Sequence, residues 1–150
     1  MGNIDSKIIE EIVRKVLLEQ QSKDNKSDFI KEIDKSGVAV IKTETVHPGK
    51  FDTGKDGDRV YLKDVLTVEE SPRLGCGVME MDESTFDWTL KYDEVDYIIE
   101  GTLEIIIGDR KVVGEKGDII FIPKDTSIKF SAPKHARFIY VVYPANWDQL

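Results

Sequence analysis

The feature that most constrains the fold is a series of short runs rich in Val, Ile, Tyr and Phe, which begins at Val38. Gly, Pro and Asp separate these runs at intervals of roughly ten residues, a pattern typical of a β-sandwich or a β-barrel. Gly108 and Asp109 suit a two-residue hairpin loop, and Pro123 ends the run before it. The predicted strands are VAVIK, RVYLKDVL, LGCGVMEM, FDWTLKY, VDYIIE, TLEIII, RKVVG, DIIFI, SIKFS and RFIYVVY. The sequence therefore predicts an all-β domain over residues 38–150.

A different period precedes this domain. Apolar residues within residues 1–20 recur at i, i+1, i+4 and i+5, which predicts a short amphipathic helix over 6–19. The apolar stripe of this helix consists of Ile8, Ile9, Ile12, Val13, Val16 and Leu17. Because so short a helix is marginal in water on its own, the stripe needs a partner. That partner is either the protein's own barrel or a second copy, or else the groove of a larger assembly into which the helix docks. Residues 21–37 are polar and are interpreted as a linker.

Charge and cysteine content exclude several classes of function. Lys and Arg number 21 against 29 Asp and Glu, a formal net charge of -8. Such a chain repels phosphate backbones and anionic lipid, so we expect no nucleic-acid partner and no membrane association. Cys76 is the one cysteine, which rules out an intramolecular disulfide. The sequence also opens without a signal-peptide pattern, and we therefore expect a cytoplasmic protein.

Most candidate motifs fail on inspection. The stretch from Gly49 to Lys55 satisfies most of the phosphate-loop pattern, but Asp56 replaces the Ser or Thr that would hold magnesium, and no helix is predicted after it. It is interpreted as a surface loop. His47 and His135 lie far apart, and neither has a His or Cys at ligand spacing. We therefore predict that the protein carries no stoichiometric transition metal, which elemental analysis would check.

The most informative stretch runs from Phe86 to Gly101. Strand alternation places Phe86, Trp88, Leu90 and Tyr92 on one face. After a turn, Glu94 and Asp96 lie on one face about 7 Å apart. If that face is the barrel interior, burial and mutual repulsion raise at least one pKa, whereas on the exterior both acids are solvated. Alternation alone leaves both possibilities open.

These residues resemble the motifs of the cupin superfamily. Glu94 followed by Gly101 resembles the first cupin motif, and Gly117 to Pro123 resembles the second. The resemblance implies a single jelly-roll barrel, usually paired as a homodimer. Metal-binding cupins carry histidines at three positions that read here as Trp88, Leu90 and Ile128. Only Glu94 of that ligand set is present.

A closer resemblance covers about residue 70 to the C-terminus. The segments FDWTLKYDEVDYIIEGTLEI, GDIIFIPKDTSIKF and RFIYVVYPANW resemble the cupin domain of the ethanolamine-utilisation family EutQ. This resemblance implies a protein associated with assembly of the bacterial microcompartment, with an ATP-dependent acetate kinase activity. The expected partners are microcompartment shell or enzyme proteins, bound through the N-terminal helix. The alternative is a non-catalytic module for small-ligand binding or assembly.

The family resemblance also favours the interior for the acids. It implies a pocket that contains Glu94, Asp96 and Tyr92, with apolar walls from Trp88, Leu90, Ile128 and Phe130. If phosphoryl transfer takes place, the two carboxylates would hold Mg²⁺, which prefers oxygen ligands. No cofactor is expected to bind tightly, and Mg²⁺ and ATP are expected only if the protein is a kinase. Lys124, beside the turn at Pro123, is either the nearest motif cation for a phosphate or a solvated turn residue.

Overall fold

The computed structural model describes residues 6–24 and 28–150 of the chain. One helix, α1, spans Ser6–Asp24. The strands are β1 Lys31–Ile33, β2 Ala39–Ile41, β3 Gly49–Lys50, β4 Arg59–Asp64, β5 Gly75–Leu90, β6 Asp93–Ile107, β7 Arg110–Glu115, β8 Ile119–Ile122 and β9 Thr126–Tyr143. Short 3₁₀ turns cover Thr43–Thr45 and Trp147–Gln149. The predicted all-β class is confirmed.

Seven strands form one antiparallel sheet in the order β3-β4-β5-β9-β6-β7, with β8 paired to β6. A separate small sheet pairs β1 with β2. The strands β5, β6 and β9 each join two runs that the sequence pattern separates. Irregular register in β5 near Glu83 and in β6 near Gly101 interrupts the pairing with β9. Bulges of this kind bend a strand, which lets long strands wrap around a common core.

Gly101 shows why the cupin motif needs glycine at this position. Its φ is +74°, a region that residues with a side chain rarely adopt. A Cβ atom there would lie 1.9 Å from the carbonyl oxygen of His135 on β9. Both the backbone conformation and the close approach to β9 therefore require glycine.

Two apolar clusters stabilise the structure. The larger one fills the inside of the barrel and includes Leu90, Ile98 and Phe138, each fully buried. The smaller one lies on the outer side of β5, where Phe29 and Val78 pack together. The N-terminal segment around β1 and β2 therefore covers part of the outer surface of the barrel.

The linker prediction for residues 21–37 is wrong in part. The helix α1 continues to Asp24, and β1 lies inside the predicted linker. Phe29 is the physical reason, because this single aromatic side chain enters the outer cluster and fixes the segment on the barrel. Periodicity does not detect a strand of only three residues.

The apolar stripe of α1 is largely uncovered where its side chains are described. Ile8, Ile9, Ile12 and Val13 are each 48–56% exposed. The side chains of Val16 and Leu17 lie outside the described part of the structure. Among the described residues, no helix is long and apolar enough to cross a membrane.

Candidate functional site

The register of β6 turns two acids into the barrel. Along this strand Glu94, Asp96 and Ile98 are buried, whereas Val95 and Tyr97 between them are exposed. The residue Glu94 is 5% exposed, and Asp96 is fully buried. The period-two alternation of a strand therefore places both carboxyl groups on the core side of the sheet.

Glu94 lines a narrow inner cavity near one end of the barrel. The volume of this cavity is about 20 Å³, room for about one water molecule. Its wall is aromatic and aliphatic apart from the carboxyl group and the tyrosine hydroxyls, and consists of Phe51, Leu62, Met79, Phe86, Trp88, Tyr92, Glu94, Phe130, Tyr140 and Trp147. A carboxyl group in this setting is poorly solvated.

The two acids perturb one another. Burial raises the pKa of Asp96 well above its usual range, and repulsion from Glu94 raises it further. Burial also raises the pKa of Glu94, an effect that contact with Asp96 partly offsets. Neither carboxyl oxygen of Asp96 has a hydrogen-bond partner of ordinary geometry among the described residues. The pair therefore tends to retain a proton at a pH where exposed acids are ionised.

Two tyrosines complete the polar part of the cavity wall. The indole N–H of Trp88 donates to the hydroxyl oxygen of Tyr92 at 2.7 Å. The hydroxyl of Tyr140 donates to the carboxylate of Asp64. Gly77 makes room for this second contact, because a Cβ atom there would lie 2.0 Å from the Tyr140 hydroxyl oxygen. Burial raises the pKa of both tyrosines, so both stay neutral.

A wider outer cavity of about 580 Å³ shares its aromatic wall with the inner cavity. The shared rings pack edge to face, with centroids 5.8 Å apart for Phe51 and Trp88 and 6.1 Å apart for Trp88 and Trp147. The polar lining of the outer cavity consists of Asp52, Asp87, Thr89, Lys91 and Asp148. This outer cavity is large enough for a drug-sized or nucleotide-sized molecule, whereas the inner one is not.

The structure brings together only part of the predicted pocket. Trp88, Tyr92, Glu94 and Phe130 line the inner cavity. Leu90 and Ile128 belong to the same core without lining it, and Asp96 is buried without lining it.

The expectation for Lys124 is not met, because it lines neither cavity. Its backbone N–H donates to the carboxylate of Asp93 at 2.8 Å. The lysine that lines the outer cavity is Lys91, whose ammonium lies 3.6 Å from Asp125.

Sequence reasoning missed the residues that closure of the barrel brings in from distant segments. Phe51 precedes β4, and Tyr140 and Trp147 come from the C-terminal part of the chain. The tripeptide Gly75-Cys76-Gly77 is a usable signal that another group approaches this strand, since a strand glycine often marks such a close approach. Here the approaching group is Tyr140. Nothing in the local pattern indicated Phe51 or Trp147.

The stretch from Gly49 to Lys55 forms an edge strand and a loop, with no helix after it. The ammonium of Lys50 donates to the carbonyl of Asp58, and that of Lys55 lies 3.8 Å from the Asp58 carboxylate. Both lysines are thus engaged by a carboxylate or a carbonyl. The interpretation as a surface loop is confirmed.

The fit of Mg²⁺ differs between the two cavities. Mg²⁺ prefers six oxygen ligands and keeps several of its waters. The inner cavity has room for about one water, and Asp96 does not line it, so the inner acids do not fit this ion. The outer cavity offers solvent-exposed carboxylates, and proteins often hold Mg²⁺ with one or two of these plus substrate phosphates. No three Asp, Glu, His or Cys side chains in the described ranges form a metal cage.

Comparison of the whole chain with known proteins identifies relatives across its length. The family model described as ethanolamine utilisation protein EutQ matches residues 4–149. The chain is 54% identical to the acetate kinase EutQ of Clostridioides difficile, over 98% of this chain and 96% of that protein. It is 36% identical to the acetate kinase EutQ of Salmonella typhimurium, over 99% of this chain and 66% of that protein.

Solved structures agree with this assignment. The structure of the Clostridium difficile EutQ protein superposes with a TM-score of 0.79 at 58% identity, covering 81% of this chain and 90% of that one. A cupin superfamily protein from Desulfitobacterium hafniense superposes with a TM-score of 0.54 at 11% identity, covering 69% and 87% of the two chains, which supports the cupin fold alone. The chain belongs to the EutQ family of ethanolamine-utilisation proteins.

Proposed function

We propose that this protein is an acetate kinase, which transfers the γ-phosphoryl group of ATP to acetate and releases acetyl phosphate and ADP. The observation that carries the proposal is the relative of that name, 54% identical and matched over 96% of its length. The setting we propose is ethanolamine utilisation, which the family description names, in association with a bacterial microcompartment.

The outer cavity is the place in the structure that suits a nucleotide. It has a volume of about 580 Å³, and the exposed parts of Trp88 and Trp147 offer flat surfaces against which a base can stack. Lys91 is the lining cation that can meet a phosphate. Tyr92 lines both cavities and therefore belongs to this site.

Mg²⁺ would be held at the rim of the outer cavity, by Asp52, Asp87 or Asp148, rather than by Glu94 and Asp96. When bound, the ion neutralises charge on the phosphates. The chain's own contribution is to position the nucleotide over the aromatic wall. Of these two acids, Glu94 lines only the inner cavity and Asp96 lines neither cavity.

The experiment is a coupled assay of acetyl phosphate formation with the double variant Asp52→Asn/Asp148→Asn. Both residues are exposed, so neutral amides at these positions should leave the unfolding midpoint unchanged. We expect at least a tenfold loss of kcat/KM and an increased Mg²⁺ requirement.

The matched control is Glu104→Gln, which removes a carboxylate from β6 away from both cavities. This control should retain wild-type activity. Full activity of the double variant would contradict the placement of the metal, and absence of activity in rigorously purified wild-type protein would contradict the kinase itself.

A second function, recruitment to an assembly, is favoured by the exposed stripe of α1. Ile8, Ile12 and Val13 are each at least half exposed, although Val and Ile side chains gain free energy when buried. We propose that this helix docks into an apolar groove of a microcompartment protein. Charge reversal on the opposite face should leave recruitment intact, whereas Ile8→Asp/Ile12→Asp should abolish it in a co-localisation experiment. Unchanged recruitment of the apolar-face variant would contradict this function.

A further inference from the structure

The inner cavity has a polarity that neither ATP nor acetate explains. Its wall contains the carboxyl group of Glu94, which is only 5% exposed, and contains no lysine, arginine or histidine. Beside it, Asp96 has two carboxyl oxygens that make no hydrogen bond within the described residues. A buried acid without a cationic partner costs stability, and a ligand in the cavity can offset that cost only for Glu94, because Asp96 does not line it.

Two of the hydrogen-bond donors on the cavity wall are already in use. The N–H of Trp88 is given to Tyr92, and the hydroxyl proton of Tyr140 is given to Asp64. The Tyr140 oxygen can therefore only accept, as can an ionised Glu94. Gly77 makes the second arrangement possible, since any side chain at that position would collide with the Tyr140 hydroxyl. The wall thus offers acceptor oxygens from Glu94 and Tyr140 to a donor, beside one wall donor, the hydroxyl proton of Tyr92.

The aromatic wall favours positive charge in the same place. Phe51, Trp88 and Trp147 line both cavities and form the aromatic passage that we infer between them, and Tyr92 packs 6.0 Å from Trp147 between ring centroids. Aromatic faces attract cations and do not favour anions. At the entrance, three lining carboxylates face a single lining lysine, so the approach to the cavity is also negative.

We propose that the inner cavity binds the ammonium group of a small primary amine, with Glu94 as its counter-ion and Tyr140 as a second acceptor. An ammonium group is about the size of the single water molecule for which the cavity has room. The short carbon chain of the amine points through the aromatic passage towards the outer cavity. This site is additional to the proposed kinase site and does not depend on it.

The test compares three molecules of nearly equal size and different charge: ethylammonium, acetamide and acetate. The readout is the indole N–H resonance of Trp88 in the full-length protein. The chain has only two tryptophans, so Trp147→Phe assigns the signal. Sodium chloride at equal ionic strength controls for salt. We expect a saturable shift with ethylammonium at a Kd on the order of 1 mM, as suits so few atoms, and no saturable shift with the other two.

Variants separate the inner site from the negative rim. Glu94→Gln should weaken ethylammonium binding at least tenfold and Tyr140→Phe several-fold, whereas Glu104→Gln should leave it unchanged. Both inner variants are close in shape to the native side chain, and circular dichroism verifies their fold. Equal binding by Glu94→Gln would overturn the proposal in favour of attraction by the rim. A Glu94-dependent shift with acetate and none with ethylammonium would also overturn it, and would leave the kinase proposal standing.

Discussion

Two acid sites on opposite faces of the same sheet behave in opposite ways. On the outer face, Glu80 of β5 lies opposite Arg137 of β9 and forms an ion pair with it. Arg137 also donates to the carbonyls of Thr43 and Val46, at 2.8 and 3.1 Å. On the inner face, Glu94 and Asp96 contact one another, and the carboxyl oxygens of Asp96 have no hydrogen-bond partner of ordinary geometry among the described residues. The outer acid is fully partnered and the inner pair is not.

The difference indicates what each site contributes. The guanidinium of Arg137 satisfies a carboxylate and two backbone carbonyls at once, and it fastens the N-terminal segment to the barrel. Its side chain is only 12% exposed. The inner acids connect no segments, and their burial costs free energy. The ion pair of Glu80 and Arg137 therefore has a structural role, whereas the inner acids are the candidates for binding a ligand.

The largest effect is expected at the outer site. Arg137→Met should lower the free energy of unfolding by about 2 to 3 kcal/mol, because it leaves Glu80 and two carbonyls without their partner. Urea denaturation measures this loss. The control is Arg59→Met, whose ion pair with Glu83 is more than half exposed on both sides and should contribute no more than about 0.5 kcal/mol. Equal losses in both variants would remove the contrast between the two faces.

The next prediction concerns the pH dependence of stability that Glu94 and Asp96 cause. Raised pKa values mean that the folded state holds protons that the unfolded state has released. The resulting stability is complete below the ordinary carboxyl pKa and is lost as the pH rises through the raised pKa values, at about 1.4 kcal/mol per pH unit for each proton. Urea midpoints of the wild type should therefore fall over this range.

The double variant Glu94→Gln/Asp96→Asn is the control, because it keeps the shape of both side chains and removes both titrations. His135 also has a raised pKa, caused by hydrogen bonds to Asp82 and Glu100, but it is unchanged in the variant. The difference between the two profiles therefore isolates the inner acids. Parallel profiles would contradict a shared proton inside the barrel.

A smaller effect is expected for Asp96→Asn alone. At pH 8 this variant should be more stable than the wild type by roughly 1 kcal/mol, because it avoids placing a second negative charge in the core. Thermal melts at pH 8 and pH 5 check this, and the gain should shrink at pH 5, where the wild-type pair retains its proton. A loss of stability at pH 8 would show that Asp96 has a partner in solution.

The smallest effect belongs to the helix. Deletion of residues 1–20 should change the thermal midpoint of the barrel by no more than the equivalent of about 0.5 kcal/mol, because the described part of the apolar stripe is about half exposed. A loss of several kcal/mol would instead show that α1 packs on its own barrel or on a second copy.

Local patterns predict the strands well, whereas the inward orientation of the acids in the first cupin motif is predicted by the family resemblance and not by alternation. Alternation around Glu94 and the glycine at 101 are properties of a few consecutive residues, and the backbone follows them directly. The pattern also divided β5, β6 and β9 into separate strands, because bulges and bends read as turns in a sequence.

The remainder of the site depends on closure of the sheet. Tyr140 reaches Asp64 across 76 residues of chain, and Phe51 meets Trp147 across nearly the whole barrel domain. Contacts of this kind are set by strand order and register, which no local period encodes. Because strand order and register also decide which lysine reaches the site, the local sequence favours Lys124 and does not indicate Lys91.

We expect Glu94 and Asp96 to share a proton inside the barrel, where each is the other's polar neighbour. Carbon-detected NMR titration of ¹³C-labelled Asp and Glu side chains measures the pKa values of this pair, and the variants Glu94→Gln and Asp96→Asn assign the two signals. We expect both carboxyl signals to titrate together and well above the ordinary range near pH 4. Independent titration of the two groups near pH 4 would contradict it.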